Sequence, residues 1–370
     1  MKRVPGRPVD QTSQRFVTNC TPQQVARRGD RKPVNLALQG GGAHGAFTWG
    51  VLDRLLERDL LALDAVSATS AGAMNAVVMA AGFSEAGPER ARVKLEEFWK
   101  AVSKAGAFFS PVRTNPWERW LVASHIPVPA YQSAFWYWQL MTQVWSPYQL
   151  NPTNYNPLRD ILSAAVDFEH LRECPYATRL FICATNVRSG KVRIFENHEL
   201  SVDAILASAC LPYLFQAVEI DGETYWDGGY MGNPALFPLI YKGASRDVVV
   251  VHVNPITRDV VPRSAPEIFD RVNEISFNSS LMREMRAIAF VARLIDAEAL
   301  DDSQYARMLV HSIRDDDEMM KHGVASKFDT DWAFLTGLRD AGRRAADTWL
   351  EANLSAVGER TTVDLTSVYL

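Results

Sequence analysis

The feature that most restricts the fold of this chain is a strand–turn–helix unit that occurs twice in succession. Residues 34–38 (VNLAL) form a short apolar run after a proline, which predicts a buried strand. Glycines follow, and residues 46–59 then carry apolar side chains at helical spacing. The second unit has a strand over residues 63–69, a sharp turn at Ser70 and a helix of small residues over 71–81. Strands that alternate with helices in this way are typical of a parallel sheet covered by helices.

The rest of the chain continues this pattern. Residues 179–186 and 191–195 are predicted to form a hairpin, and residues 247–253 (DVVVVHV) are the clearest buried strand. Two long amphipathic helices are predicted over residues of about 279–298 and 331–352. We therefore expect an α/β fold, a three-layer α/β/α sandwich with a mostly parallel central sheet, plus C-terminal helices.

The chain divides into three predicted regions. Residues 1–32 form a basic N-terminal tail, residues 33–260 the α/β core, and residues 261–370 a C-terminal helical extension packed on the core. The core contains an aromatic-rich insertion at about residues 105–150. Its aromatic cluster is either a packing subdomain or oligomer contact, or an apolar lid or acyl-chain pocket. The cluster comprises Trp117, Trp120, Phe135, Trp136, Tyr137, Trp138, Trp145 and Tyr148.

The composition excludes some partners and locations. A net charge of −4 over 370 residues gives no overall attraction to nucleic acid, so no nucleic-acid partner is expected. No apolar run is long enough for a membrane-spanning helix, and the first 32 residues lack the apolar region of a secretory signal. Four cysteines without C-x-x-C spacing predict reduced thiols rather than disulfides or a metal site. We expect a cytoplasmic protein without cofactor or metal, with peripheral association at membranes as an alternative.

The glycines after the first strand fit two functions. Residues 40–45 (GGGAHG) match the G-x-G-x-x-G pattern of dinucleotide sites, where backbone N–H groups at a helix N-terminus bind negative charge. A Rossmann site would have an acidic residue at the end of the next strand, whereas Asp64 lies at or before its start. In an acyl hydrolase the same N–H groups would stabilise the oxyanion of a tetrahedral intermediate, at about 3 kcal/mol per donor.

Ser70 lies where an apolar strand turns sharply into a helix, the setting in which a G-x-S-x-G motif presents a nucleophile. Gly72 keeps the turn small, whereas Ala68 replaces the usual first glycine and gives up some backbone freedom. A serine at the start of a helix is also a common N-cap. The glycine loop one strand earlier favours the nucleophile over the cap.

A nucleophilic serine needs a base, which is usually a histidine oriented by a carboxylate. None of the seven histidines lies in a recognisable triad setting; His44 lies in the glycine loop and His252 in a predicted buried strand. Asp227, by contrast, ends an apolar stretch and precedes two glycines. An aspartate before glycines is also a common turn signal, so this motif does not identify a base by itself.

Three segments in this order resemble the patatin-like phospholipases, serine acyl hydrolases with a Ser–Asp dyad on a three-layer α/β/α fold. They are residues 40–45, 68–72 (ATSAG) and 227–229 (DGG). The resemblance is clearest over residues 34–238 and includes 207–215 (ASACLPYLF), which leads toward the aspartate. No member of this set is specific alone, and their order and local setting carry the resemblance.

The resemblance implies that Ser70 is the nucleophile, that Asp227 is the proton acceptor, and that Gly40, Gly41 and Gly42 form the oxyanion loop. A carboxylate is a weak base for serine, so Asp227 should lie in a partly dehydrated site that raises its pKa. The implied activity is cleavage of carboxylic esters in phospholipids or related lipids, with a lipid as the substrate partner. The alternatives are an esterase or polyester hydrolase for other substrates, or a catalytically silent lipid-binding protein.

Two residues depart from the pattern of that family. Ala68 stands where the family usually has glycine, which is only a small change in the size of the residue. His44 stands where the family usually has Arg or Lys, so a titratable group replaces a fixed positive charge. The cation that would hold the loop or an anionic head group is therefore expected to be absent or pH-dependent.

Overall fold

The computed structural model describes residues 31–109, 140–174, 178–300, 305 and 307–370. The strands in these segments form one eight-stranded sheet. They are β1 (Lys32–Leu38), β2 (Leu61–Thr69), β3 (Arg179–Asn186), β4 (Val192–Glu196), β5 (Val218–Ile220), β6 (Glu223–Asp227), β7 (Asp247–Val251) and β8 (Leu309–Ile313). Their order across the sheet is β5-β6-β3-β2-β1-β7-β8, and β4 pairs with β3.

The centre of the sheet is parallel. Strand β1 pairs in parallel with β2 and β7, β2 with β3, and β7 with β8. The antiparallel pairs all lie at one side, where β4 and β6 both pair with β3 and β5 pairs with β6. The predicted hairpin and the predicted mostly parallel sheet are therefore confirmed. The region after residue 261 also contributes a sheet strand, β8, which the sequence did not indicate.

Helices cover the sheet. They are α1 (Gly45–Arg58), α2 (Ala71–Ala86), α3 (Pro88–Phe109), α4 (Pro147–Leu150), α5 (Pro157–Ala165), α6 (Phe168–Glu173), α7 (Val202–Ser208), α8 (Phe237–Lys242), α9 (Ala265–Asp296), α10 (Asp316–Met319), α11 (Trp332–Asn353) and α12 (Leu365–Tyr369). The long C-terminal pair corresponds to the two predicted amphipathic helices. Helix α9 begins earlier than expected, because Ser264 and Glu267 form a capping box at its N-terminus.

The side chains of β7 demonstrate the three layers. Val249 and Val251 belong to one apolar core with residues of α1, α2, α3 and α11, whereas Val248 and Val250 belong to a second core with residues of α8, α9 and α12. All four valines are fully buried. Successive residues of a strand point to opposite faces, so a strand apolar throughout needs helices on both sides. The predicted α/β/α sandwich is therefore confirmed.

Several sequence expectations fall outside the described residues. They include almost all of the basic tail (residues 1–30) and the part of the aromatic cluster between residues 117 and 139. Of that cluster, Trp145 and Tyr148 are described, and their exposed fractions are 42% and 58%. No helix in the described segments is both long and apolar enough to cross a bilayer.

The cysteines differ from the expectation of reduced thiols. Cys183 and Cys210 are free and buried. Cys174 instead takes part in a disulfide bond, so the expectation is wrong for this residue.

Candidate active site

The register of the sheet brings Ser70 and Asp227 to the same place. Thr69, the last residue of β2, pairs with Cys183 of β3. The next residue of β3, Ala184, pairs with Asp227 at the end of β6. Strand β3 lies between β2 and β6, and the Ser70 hydroxyl just beyond the end of β2 is close enough to Asp227 to favour its charged form. The structure thus places together the two residues that the sequence selected from motifs far apart in the chain.

Ser70 has the backbone conformation of a sharp strand-to-helix turn. Its φ is 55° and its ψ is −123°, a conformation that costs a non-glycine residue about 1–3 kcal/mol. Its N–H donates to Ser208 Oγ at 2.9 Å, and its side chain makes no capping hydrogen bond to α2. A Cβ at Gly72 would lie 2.5 Å from the Leu38 carbonyl oxygen, which explains the glycine there. The geometry therefore favours a nucleophile elbow over a helix cap, although Ser70 itself is largely buried.

Asp227 is completely buried, and only one of its two carboxylate oxygens has a hydrogen-bond partner among the described residues. Its Oδ1 accepts the Gly229 N–H at 2.6 Å, whereas its Oδ2 has no hydrogen-bond partner among the described residues. Burial raises the pKa of Asp227 to about 6, although the Gly229 N–H, the nearby Ser70 hydroxyl and the Lys327 ammonium favour the charged form. The carboxyl is thus ionised at neutral pH and more basic than an exposed aspartate.

The glycine loop approaches Ser70 closely, and its three N–H groups differ. A Cβ at Gly40 would lie 2.6 Å from Ser70 Cβ, so a side chain there would displace the serine. The Gly40 N–H donates to Asn233 Oδ1 at 2.7 Å and is already used. The N–H groups of Gly41 and Gly42 donate to no atom of the described residues. These two N–H groups are therefore the loop donors that a ligand can use.

Buried amide side chains support the loop from behind, and the sequence did not identify them. Gln39 donates to Asn278 Oδ1 at 2.9 Å and accepts the Asn254 N–H at 3.1 Å. Asn254 Nδ2 donates to the Gly40 carbonyl at 3.0 Å. Together with Asn233, all four amide residues are at most 3% exposed. Gln39 and Asn254 follow parallel strands β1 and β7 at the same sheet edge, a signal that could have found them.

His44 is not a cation in the folded protein. It is only 2% exposed, and its Nε2 lies 2.8 Å from Ser326 Oγ. Burial, together with the neighbouring Lys327 and His322, holds its pKa well below the usual value for histidine. Of the two expectations for this position, the lowered pKa favours the absence of a cation over a pH-dependent charge.

The other buried histidines have structural partners. His252 lies 2.9 Å from Tyr369 Oη, and burial lowers its pKa to about 3. His311 Nε2 lies 2.9 Å from Asp247 Oδ1. In the segments that the structure describes, no histidine hydrogen-bonds Ser70 or the Asp227 side chain.

A cavity of about 670 Å³ adjoins the strand that carries Asp227. Its wall includes Trp145, Tyr213 and Tyr230, so it is largely apolar. Thr185 also lines it and donates its hydroxyl to the Asp227 backbone carbonyl at 2.8 Å. A cavity with these dimensions and this lining is of the kind that holds small apolar ligands.

The sequence matches the Patatin family, whose description is patatin-like phospholipase, over residues 36–240. This match covers more than half of the chain and includes the glycine loop, Ser70 and Asp227. No curated protein matches the sequence significantly.

Two solved proteins are similar in structure. VipD from Legionella pneumophila is 16% identical with a TM-score of 0.33, over 85% of this chain and 67% of VipD. ExoU from the type III secretion system of Pseudomonas aeruginosa, solved in complex with SpcU, is 15% identical with a TM-score of 0.33, over 87% of this chain and 53% of that protein. A second ExoU–SpcU structure from the same organism is 20% identical with a TM-score of 0.32, over 91% of this chain and 65% of that one. The chain thus spans about half to two thirds of these proteins.

Proposed function

Since this chain belongs to the patatin-like phospholipase family, we propose that it hydrolyses carboxylic esters of lipids, phospholipids first among them, through a Ser70–Asp227 dyad. The observation that carries the proposal is the buried Asp227 Oδ2, which has no hydrogen-bond partner in the described part of the chain and lies near the Ser70 hydroxyl. Burial of such an oxygen without a partner costs stability, and a catalytic role is one explanation for it in a native protein. The Ser70 hydroxyl, which favours the charged form of Asp227, is the proposed donor.

In the proposed acylation step, Ser70 Oγ gives its proton to Asp227 and attacks the ester carbonyl carbon. The resulting oxyanion accepts hydrogen bonds from the Gly41 and Gly42 N–H groups, each worth about 3 kcal/mol in related sites. When the tetrahedral intermediate collapses, the proton on Asp227 leaves with the alcohol. The acyl group remains on Ser70 as an ester.

Deacylation repeats these steps with water in place of serine. Water gives a proton to Asp227 and attacks the acyl ester, and the collapse of the second intermediate returns that proton to Ser70 Oγ. The pKa of Asp227 near 6 supports this role, because a base works best when its pKa lies near the working pH and it is still ionised there. The apolar cavity beside Asp227 is the proposed place for the acyl chain.

The test compares Ser70→Ala and Asp227→Asn with the wild type on phospholipids, triacylglycerols and short soluble esters. Both variants should lose at least about 10³-fold in kcat, because each removes a group that takes part in the chemical step. Ser163→Ala and Asp160→Asn are matched controls on exposed side chains and should retain activity. Undiminished hydrolysis by Ser70→Ala would refute the dyad.

The substrate panel also separates the alternatives. Activity on soluble esters or polyesters without activity on phospholipids would indicate an esterase of another substrate class. A fluorophosphonate probe labels an activated serine, so wild type that binds lipid vesicles but does not react with the probe at Ser70 would be a silent lipid-binding protein.

A further inference from the structure

A short segment from outside the matched region closes over the glycine loop. This segment, Val324–Phe328, forms a short 3-10 helix of five residues. A Cβ at Gly42 would collide with the backbone carbonyl oxygen of Lys327, so the two main chains are in contact. Ser326 Oγ lies 2.8 Å from His44 Nε2 in the same loop. The segment therefore shapes the loop although it lies far away in the sequence.

Lys327 directs its ammonium group into the protein behind this loop. Its Nζ donates to Asn254 Oδ1 at 2.9 Å and to Asn273 Oδ1 at 2.7 Å. The ring centre of Phe277 lies 5.2 Å away, within the range of a cation–π contact. No carboxylate lies within ion-pair distance of Lys327 in the described residues. Its positive charge is thus held by neutral groups.

Asn254 connects this ammonium group to the glycine loop. While its Oδ1 accepts from Lys327, its Nδ2 donates to the Gly40 carbonyl oxygen at 3.0 Å. The Gly40 carbonyl and the Gly41 N–H belong to the same peptide group. Hydrogen bonds in a chain polarise one another, and those to charged groups are the strongest. A positive Lys327 therefore makes the Gly41 N–H a stronger donor.

We propose, on the basis of the proposed hydrolase function, that Lys327 is a positioning residue for the oxyanion hole. Acting through Asn254, it orients and polarises the Gly40–Gly41 peptide, and it supplies the positive charge that the neutral His44 does not carry. The C-terminal region thereby completes a loop that lies near the start of the chain.

The charge of Lys327 depends on groups from several elements. Burial lowers its pKa to about 8, and three carboxylates oppose this shift: Glu274 and Asp270 of α9 and Asp227 of β6. Glu274 is itself paired with Arg258 and Arg271. Since His44 is neutral, the loop adds no further charge. Lys327 is therefore mainly positive at pH 7 and loses its charge as the pH rises through about 8.

The first test is Lys327→Met, which keeps the length of the side chain and removes the charge. We expect kcat for ester hydrolysis to fall about 10- to 100-fold, less than for direct loss of an oxyanion donor, with KM changed by less than about threefold. Lys327→Arg should restore most of kcat. Lys321→Met is the matched control, because Lys321 is exposed and pairs with Glu318.

A double-mutant cycle tests the connection through Asn254. Asn254→Ala should lower kcat by a similar factor. The Lys327→Met/Asn254→Ala double variant should be no slower than the slower single variant, because both substitutions remove the same effect. Fully additive losses would overturn the role of Asn254.

The pH profile of kcat gives a readout that a purely structural role would not change. Wild-type kcat should decline above about pH 8, and this decline should be absent in Lys327→Met and move to higher pH in Lys327→Arg. The acidic limb of Lys327→Met should also move to higher pH, because loss of a nearby positive charge raises the pKa of Asp227 further.

The outcomes are distinguishable from those of the dyad test. The role of Lys327 alone would be overturned if Lys327→Met kept the kcat and the alkaline limb of the wild type while Ser70→Ala was inactive. Hydrolysis retained by Ser70→Ala would overturn both proposals. If Lys327→Met does not fold, the pH profile of kcat still tests the proposal. A wild-type decline above about pH 8 that moves to higher pH in Lys327→Arg would support the role of Lys327, and its absence would overturn it.

Discussion

Two clusters of polar groups in this protein differ in how many of their members have an ion-pair or hydrogen-bond partner. The first is an ion-pair cluster formed by Asp53 and Glu57 of α1, Arg92 of α3 and Arg343 of α11. Arg92 lies 2.9 Å from both Asp53 and Glu57, and Arg343 pairs with the same two carboxylates. Each charge in the cluster has a partner, and the side chains retain some contact with solvent.

The second group is the candidate active site, where pairing is incomplete. Asp227 is fully buried with a free Oδ2, and the N–H groups of Gly41 and Gly42 have no acceptor among the described residues. Burial without partners costs stability, but it leaves donors and a base available to a substrate. The comparison indicates that the ion-pair cluster serves stability, whereas the unpartnered groups of the site fit the proposed hydrolysis.

The largest effect is expected for Asp227→Asn, which removes the buried charge of the site. Burial raises the pKa of Asp227 from its ordinary value of 3.8 to about 6, so between those values the folded protein retains a proton that the unfolded chain has lost. Stability therefore falls as the pH rises through this window, by up to about 3 kcal/mol at neutral pH. Asparagine cannot ionise, so the variant should lose hydrolysis and be about 2 kcal/mol more stable at pH 7.

Chemical denaturation at pH 7 and pH 4 provides the measurement. The gain in the free energy of unfolding should shrink to about 0.5 kcal/mol near pH 4, where the folded carboxyl is protonated and the unfolded carboxyl is partly protonated. An Asp227→Asn protein that is destabilised equally at both pH values would contradict the cost assigned to the buried carboxylate.

A second prediction concerns the loop backbone at Gly42. Its φ of 59° favours glycine, and a Cβ there would collide with the Lys327 carbonyl oxygen. Gly42→Ala should therefore cost about 2 kcal/mol or more in the free energy of unfolding and lower kcat by at least about tenfold.

Gly337→Ala is the matched control for this change. Gly337 lies exposed within α11, and a Cβ there would meet no atom within 4 Å. This variant should gain about 0.5–1 kcal/mol with unchanged kcat. If the two alanine variants had equal stability and activity, the strain assigned to Gly42 would be wrong.

The smallest effect is expected in the ion-pair cluster. Arg343→Met removes one arginine from two carboxylates, which should lower the free energy of unfolding by about 1 kcal/mol and leave kcat unchanged. The loss should shrink in 1 M salt, because screening weakens the remaining charge interactions. Arg344→Met, on the exposed side of the same helix, provides the comparison and should have little effect. A large loss of activity in Arg343→Met would contradict the division between the two groups.

Much of the fold and part of the site could be predicted from short stretches of sequence. The two strand–turn–helix units, the hairpin and the strand at 247–251 depend on apolar spacing and turn residues within about ten positions. The position of Ser70 was predictable for the same reason, since a small-residue turn between a strand and a helix is a local pattern.

Other features required the folded chain. Strand β8 has no strong pattern of its own and is stabilised by pairing with β7. The neutral state of His44 follows from burial under a segment that lies far away in the sequence. The expectation of four reduced cysteines was wrong at Cys174, because the pairing of cysteines depends on which of them meet in space.

The α/β alternation, the sharp turn at Ser70 and the glycines that let the loop approach it follow from local sequence, because each depends on residues that are neighbours in the chain. Only the folded chain places Asp227 near Ser70, leaves the N–H groups of Gly41 and Gly42 without an acceptor among the described residues, and puts Lys327 behind the loop. Hydrogen-bond pairing and burial depend on strand register and on contacts between distant segments. These contacts set the pKa of Asp227 and the donors open to a substrate.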